Sequence, residues 1–284
     1  MLLVKAMNIS TNAARNKVNE QISSKKSLLC VGLDSDPDKI PGIFHEMKRP
    51  VLEFNRSVIR ATRECAVAYK INTAFYEARG LEGIEDMQET LENLPCESLS
   101  IADAKRADIG NTSRMYARAF FEQWDFDALT VAPYMGTDSV EPFFDYDQKL
   151  VFVLCLTSNP GSEDFEEQHL LSGSALYDAV LKKVQEWDRN GNAGIVVGAT
   201  KSDRLKAIRK AAPGLFFLIP GVGAQKGSLR ESASLGADEK SQGALINVSR
   251  GIIFPDGDFA SLEAFETEVS KKAAKLRDEM QSIF

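Results

Sequence analysis

At 284 residues the chain has room for one large barrel or two ordinary domains, and 44% apolar with 26% charged residues is usual for a folded globular protein. A net charge of -7 argues against a nucleic-acid surface, which needs a basic patch, yet leaves room for a local site that holds one phosphate. Four scattered cysteines without a C-x-x-C pair and only two histidines, His45 and His169, discourage disulfide-framework, zinc and catalytic-triad readings.

In chain order, Met1-Leu2-Leu3-Val4-Lys5 is too short and too soon polar for a signal peptide. No stretch approaches the ~20 apolar residues that cross a bilayer, so residence in the cytoplasm is expected. Residues 11–26 read as an extra helix ahead of the first strand, placed to close the bottom of a barrel. Short β-rich runs then recur at 28–33, 66–71, 99–102, 128–131, 150–156, 193–197, 215–219 and 244–248. Several are apolar throughout, as parallel strands buried on both faces require, and Cys30 and Cys155 fall inside them as buried reduced thiols. Helical patterns lie between, at 52–65 and 111–124, and the last carries Leu262, Phe265, Val269, Leu276 and Met280 on one stripe. Eight βα units without an intervening linker predict a single-domain TIM (β/α)₈ barrel over 1–284, with about 1–27 as an N-terminal extension.

That fold predicts function at the C-terminal strand ends, with phosphate in the loops after strands seven and eight. The polar residues fall there. Strand one runs into Asp34, strand two carries Lys70 and Asn72, and strand three delivers Asp103, Lys105 and, further on, Asp108. Asp103 and Lys105, two apart on an extended segment, leave on one face, and Lys70 reaches the same space from the neighbouring strand. The result is an alternating array of lysines and aspartates, while Asp108, near the next helix, is free to point elsewhere. At ~4 Å and an effective dielectric near 20, each opposite pair attracts by roughly 4 kcal/mol before desolvation. Such an array keeps lysine protonated, which suits proton delivery or carbanion stabilisation and not Schiff-base chemistry. Gly221, Gly223 and Gly227 after strand seven fit a backbone phosphate nest better than a dinucleotide loop, and Arg250 after strand eight supplies charge and paired donors. The polar stretch from Pro220 to Ala244 is expected to close over the ligand as a lid.

The run Asp103-Ala104-Lys105-Arg106-Ala107-Asp108-Ile109-x-x-Thr112 resembles the D-x-K-x-x-D-[IT]-x-x-T signature of the orotidine 5′-phosphate decarboxylases. Val31-Gly32-Leu33-Asp34, Lys70-Ile71-Asn72, Thr157-Ser158-Asn159-Pro160-Gly161, Pro220-Gly221 with Gln225, and Ser249-Arg250-Gly251 look like the family's other segments, in order, over nearly the whole chain. The phrasing around Ser158 and the length resemble the longer bacterial-type subgroup. The resemblance implies cofactor-free decarboxylation of orotidine 5′-phosphate to UMP, without a metal. It implies that Lys105 protonates C6, Asp103 crowds the substrate carboxylate, Asp34 and Lys70 hold the ribose with Asn72 nearby, and Ser158 reads the pyrimidine. Pro220, Gln225 and Arg250 would then form the phosphate grip, while Asp108, Ile109 and Thr112 reach into a partner's site in a homodimer with shared active sites. A fused phosphoribosyltransferase is not expected within 284 residues, and neither nucleic acid nor membrane is an expected partner.

The nearest rival is a sister barrel that uses a similar strand on sugar phosphates with Mg²⁺, and EDTA sensitivity would favour it. A Schiff-base aldolase is disfavoured because strand six, 193–197, lacks a lysine. A catalytically dead nucleotide binder is disfavoured by intact Lys105, Asp103 and Asp108.

Overall fold

A computed structural model describes residues 12–222 and 228–284. Strands β1 (Leu29–Leu33), β2 (Ala68–Asn72), β3 (Leu99–Arg106), β4 (Ala128–Val131), β5 (Leu150–Leu156), β6 (Ala193–Val197), β7 (Phe216–Pro220) and β8 (Ala244–Val248) form a closed barrel in chain order. Every pairing is parallel, including the closure of β8 onto β1 through Ile246 opposite Leu29. Strands β1, β6 and β8 are buried at every residue, which explains their largely apolar sequence, broken only by Asn247 in β8: one face fills the barrel and the other meets the helices.

The helices are α1 (Ala13–Lys25), α2 (Pro50–Thr62), α3 (Ala74–Glu77), α4 (Gly80–Glu92), α5 (Gly110–Arg118), α6 (Thr137–Phe144), α7 (Leu176–Trp187), α8 (Ser202–Ala211), α9 (Leu229–Gly236), α10 (Arg250–Ile253) and α11 (Leu262–Met280). The stripe of α11 packs on α2 through Phe265, whose ring meets Phe44 and Phe54 at centroid distances of 5.2 and 5.7 Å. The helix expected over 111–124 is α at Gly110–Arg118 and relaxes into a π turn over Ala119–Gln123. Within the stretch from Pro220 to Ala244, expected as a lid, Leu229–Gly236 forms α9, with Leu229 and Ala233 buried. Gly223, Gln225 and Gly227 of that stretch, like Met1 to Lys5 and Thr11, lie outside the described residues.

Helix α1 lies across the N-terminal end of the barrel. Asn12 accepts from the Arg15 N–H as its cap and donates to the carbonyls of Asp147 and Lys149, just before β5. Arg15 donates to the carbonyls of Gly191 and Gly214, which precede β6 and β7, and Lys17 pairs with Asp127 at 2.8 Å ahead of β4. Polar side chains of α1 thus satisfy the floor, and the opposite end remains as the mouth.

Candidate active site

Three strand ends supply one continuous chain of charge at the mouth. Lys70 on β2 donates to Asp103 Oδ2 at 2.7 Å and reaches Asp34 Oδ1, just past β1, at 3.5 Å. Lys105 Nζ donates to the other Asp103 oxygen, Oδ1, at 2.5 Å. Ser249, after β8, donates its hydroxyl to Asp34 Oδ2 at 2.7 Å, and Thr130 of β4 donates to Asp103 Oδ1 at 3.1 Å. The order is therefore Asp34–Lys70–Asp103–Lys105.

Side-chain exposure is 23% for Asp34, falls to 5% for Lys70 and 12% for Asp103, and reaches 49% for Lys105. The buried members hold one another in place, and the Lys105 ammonium is the cation most open to solvent. Burial alone would strip the charge from Lys70, but the carboxylates of Asp103 and Asp34 outweigh it and hold the ammonium above its ordinary range. Burial likewise opposes ionisation of Asp103, yet the two lysines overrule it and hold the acid far below the usual carboxylate range. Beneath them, burial pushes the Cys30 thiol up to about 12, so it stays neutral against Asn247 of β8.

The expected extended geometry of Asp103–Lys105 holds only in outcome. The β3–β4 register shifts between Ala102 and Arg106, and Lys105 takes φ 49°, the left-handed region that residues with a Cβ seldom occupy. A bulge, not simple alternation, puts the two side chains together. Gly32 in β1 is equally local in its reason: a Cβ there would stand 1.9 Å from Ser249 Oγ, so glycine permits the Ser249–Asp34 bond.

Asp108, Ile109 and Thr112 stand apart from this chain. Among the described residues Asp108 bonds to neither lysine; its Oδ1 accepts from the Ile109 N–H at 2.7 Å, and its backbone is clamped by Ser113. Ile109 and Thr112 are exposed at the rim, where α5 begins. Asn72 lies opposite Asp103 in the β2–β3 register. Ser158 lies past β5, against β6: a Cβ on Gly198 would fall 2.6 Å from Ser158 Cβ and 2.7 Å from its Cα. Thr157, one residue earlier, is tied by its N–H and hydroxyl to the Glu166 carboxylate. Pro220 ends β7, Gly221 follows with φ 98°, and Arg250 opens α10 as an exposed residue; Gln225 is not described.

Three contributors escape a reading of charged motifs: Thr130, Ser249 as a partner of Asp34, and Glu166. Thr130 had one visible signal, a hydroxyl near the C-terminal end of an otherwise apolar strand.

A closed parallel barrel with a lysine–aspartate chain at its C-terminal mouth defines a (β/α)₈-barrel enzyme. The model of the orotidine 5′-phosphate decarboxylase / HUMPS family matches residues 27–265, and the chain belongs to that family. It is 46% identical over 273 residues to an orotidine 5′-phosphate decarboxylase of Flavobacterium johnsoniae, covering 94% of this chain and 97% of that one. A Christiangramia forsetii protein of the same name is 48% identical, over 92% of this chain and 98% of its own. Among solved structures, an OMP decarboxylase of Leishmania donovani superposes with a TM-score of 0.82 at 38% identity, covering 95% of this chain and 98% of that chain.

Proposed function

We propose that the chain decarboxylates orotidine 5′-phosphate to UMP and CO₂, the closing step of pyrimidine nucleotide synthesis, with no cofactor. The observation that carries this reading is a half-exposed ammonium, Lys105, pinned to an acid that its neighbours keep ionised. Breaking the C6–carboxylate bond leaves its electron pair on C6, a carbon without an adjacent electron sink. A preorganised cation lowers the cost of that charge, because its orientation is set before the reaction begins. One Lys105 proton then passes to C6, giving UMP, and the neutral amine recovers its proton from water. Asp103 cannot relieve repulsion by taking a proton, so it crowds the substrate carboxylate and favours its departure as neutral CO₂.

In the same proposal Asp34 and Lys70 hold the ribose, with Asn72 beside them, Ser158 reads the pyrimidine edge, and Pro220, Gln225 and Arg250 hold the phosphate. Asp108, Ile109 and Thr112 complete the site of a second copy. The exposure of Ile109, just ahead of α5, and of Thr112 and Met115 within it supports a homodimer, since water is a poor neighbour for Ile109 and Met115. A cytoplasmic home is supported by the free thiols of Cys30, Cys65 and Cys155.

A Mg²⁺-dependent sugar-phosphate reaction fits less well. The Lys70 ammonium already fills the gap between the Asp34 and Asp103 carboxylates, where a divalent ion would need them. Among the described residues no helix is long and apolar enough to cross a membrane. The test is the fall in orotidine 5′-phosphate absorbance with purified protein, with and without EDTA. Equal rates are expected, and loss of the reaction in EDTA would transfer the chain to the metal-dependent branch.

A further inference from the structure

We infer that Thr130 is a positioning residue for the reaction, fixing Lys105 and Asp103 against each other through one hydroxyl. The inference rests on the decarboxylase reading of the site. Thr130 is 1% exposed, sits in β4, and reaches the charge chain through Oγ1.

The bulge in β3 creates the need. Where the β3–β4 ladder is interrupted between Ala102 and Arg106, Lys105 turns to φ 49° and donates its N–H to Thr130 Oγ1 at 3.0 Å. The hydroxyl therefore stands in for a strand carbonyl. Regular pairing resumes one step later, with Arg106 opposite Val131 and the Ala132 N–H on the Arg106 carbonyl. That acceptor helps hold the Lys105 amide in a backbone region that a side-chain-bearing residue adopts only when its surroundings impose it.

The direction of the hydroxyl proton follows from its two partners. An amide N–H can only donate, so it takes a lone pair of Oγ1, and an ionised carboxylate can only accept, so it receives the hydroxyl proton. The accepting atom is Asp103 Oδ1, the same oxygen that holds Lys105 Nζ. One hydroxyl thus closes a ring through the Lys105 backbone, the Lys105 ammonium and Asp103. It sets where the ammonium stands while leaving its outward protons available.

Thr130→Val keeps shape and removes the ring, whereas Thr130→Ser keeps the hydroxyl. In steady-state decarboxylation the valine variant is expected to lose between roughly tenfold and a hundredfold in kcat, the scale of a small misplacement of a reacting group. KM should move by less than about threefold, because ground-state binding is not touched. The serine variant should recover most of kcat, and in the valine variant the acidic limb of kcat should move to higher pH as Asp103 loses a donor. Equal kcat in valine and wild type, equal losses in valine and serine, or a loss confined to KM would overturn the inference.

Crystal structures of both variants give a reading independent of substrate. Lys105 should leave the left-handed region, or its Nζ should leave Asp103, in Thr130→Val alone; an unmoved Lys105 there refutes the role even if the wild type proves inactive on orotidine 5′-phosphate. Wild-type inactivity by itself would sink the decarboxylase reading.

Discussion

Replacing Lys70 with methionine tests whether the buried part of the charge chain is held together by mutual compensation. The ammonium stands 2.7 Å from Asp103 and 3.5 Å from Asp34, so at an effective dielectric near 20 the two attractions are about 6 and about 5 kcal/mol before desolvation. Most of that offsets the cost of removing three charges from water, and truncating one partner of such a cluster costs about 3–5 kcal/mol. Asp103 keeps Lys105 and Thr130, and Asp34 keeps Ser249, so Lys70→Met should fall near the lower end, about 3 kcal/mol at pH 7. The sign with pH is definite. Asp103 is depressed in the folded protein, so its contribution is present above its unfolded pKa of about 4 and drains away as pH falls toward the native value. Without Lys70 that contribution shrinks, and the gap between wild type and variant should narrow below about pH 4. Urea unfolding followed by the fluorescence of Trp124 and Trp187 reads both numbers. A loss below about 1 kcal/mol at pH 7, or a gap unchanged down to about pH 3.5, would refute the reasoning.

Arg250→Ala should weaken UMP binding by tenfold or more, roughly the 1.5–3 kcal/mol of a charged hydrogen bond, while the fold stays intact; calorimetric titration that finds unchanged affinity would remove the phosphate assignment. Gly198→Ala forces a Cβ against the Ser158 backbone and should raise KM more than it lowers kcat, as initial-rate kinetics would reveal. If Asp108 serves a second copy, inactive Lys105→Ala and Asp108→Ala chains refolded together should regain about a quarter of wild-type activity, since half the dimers carry one intact site. Mixtures that stay inactive would argue that each chain is self-sufficient.

Strand positions were readable because continuous burial on both faces leaves an unbroken apolar run, as at Ala193–Val197 and, with one threonine, Ala128–Val131. The charged members of the site were readable for the opposite reason: Lys70 and Asp103 are costly to bury without a purpose, so their place at apolar strand ends was informative. What stayed hidden depends on backbone irregularity. Nothing in Asp103-Ala104-Lys105 announces a bulge or a left-handed lysine, and without the bulge Thr130 has no reason to bond to either. Helix α9 was hidden by composition, because Ser228, Ser232 and Ser234 made a capped, amphipathic helix look like a loop. Ser228 is in fact its cap, accepting from the Glu231 N–H.

The most direct measurement compares wild type and Lys105→Ala for conversion of orotidine 5′-phosphate to UMP under saturating substrate. Loss of the proton donor should reduce turnover by at least about a hundredfold. Thermal unfolding and UMP affinity should stay near wild type, because this side chain is the most exposed of the four. Turnover still above a few per cent of wild type would contradict proton delivery from this lysine and, with it, the chemistry assigned to the mouth of the barrel.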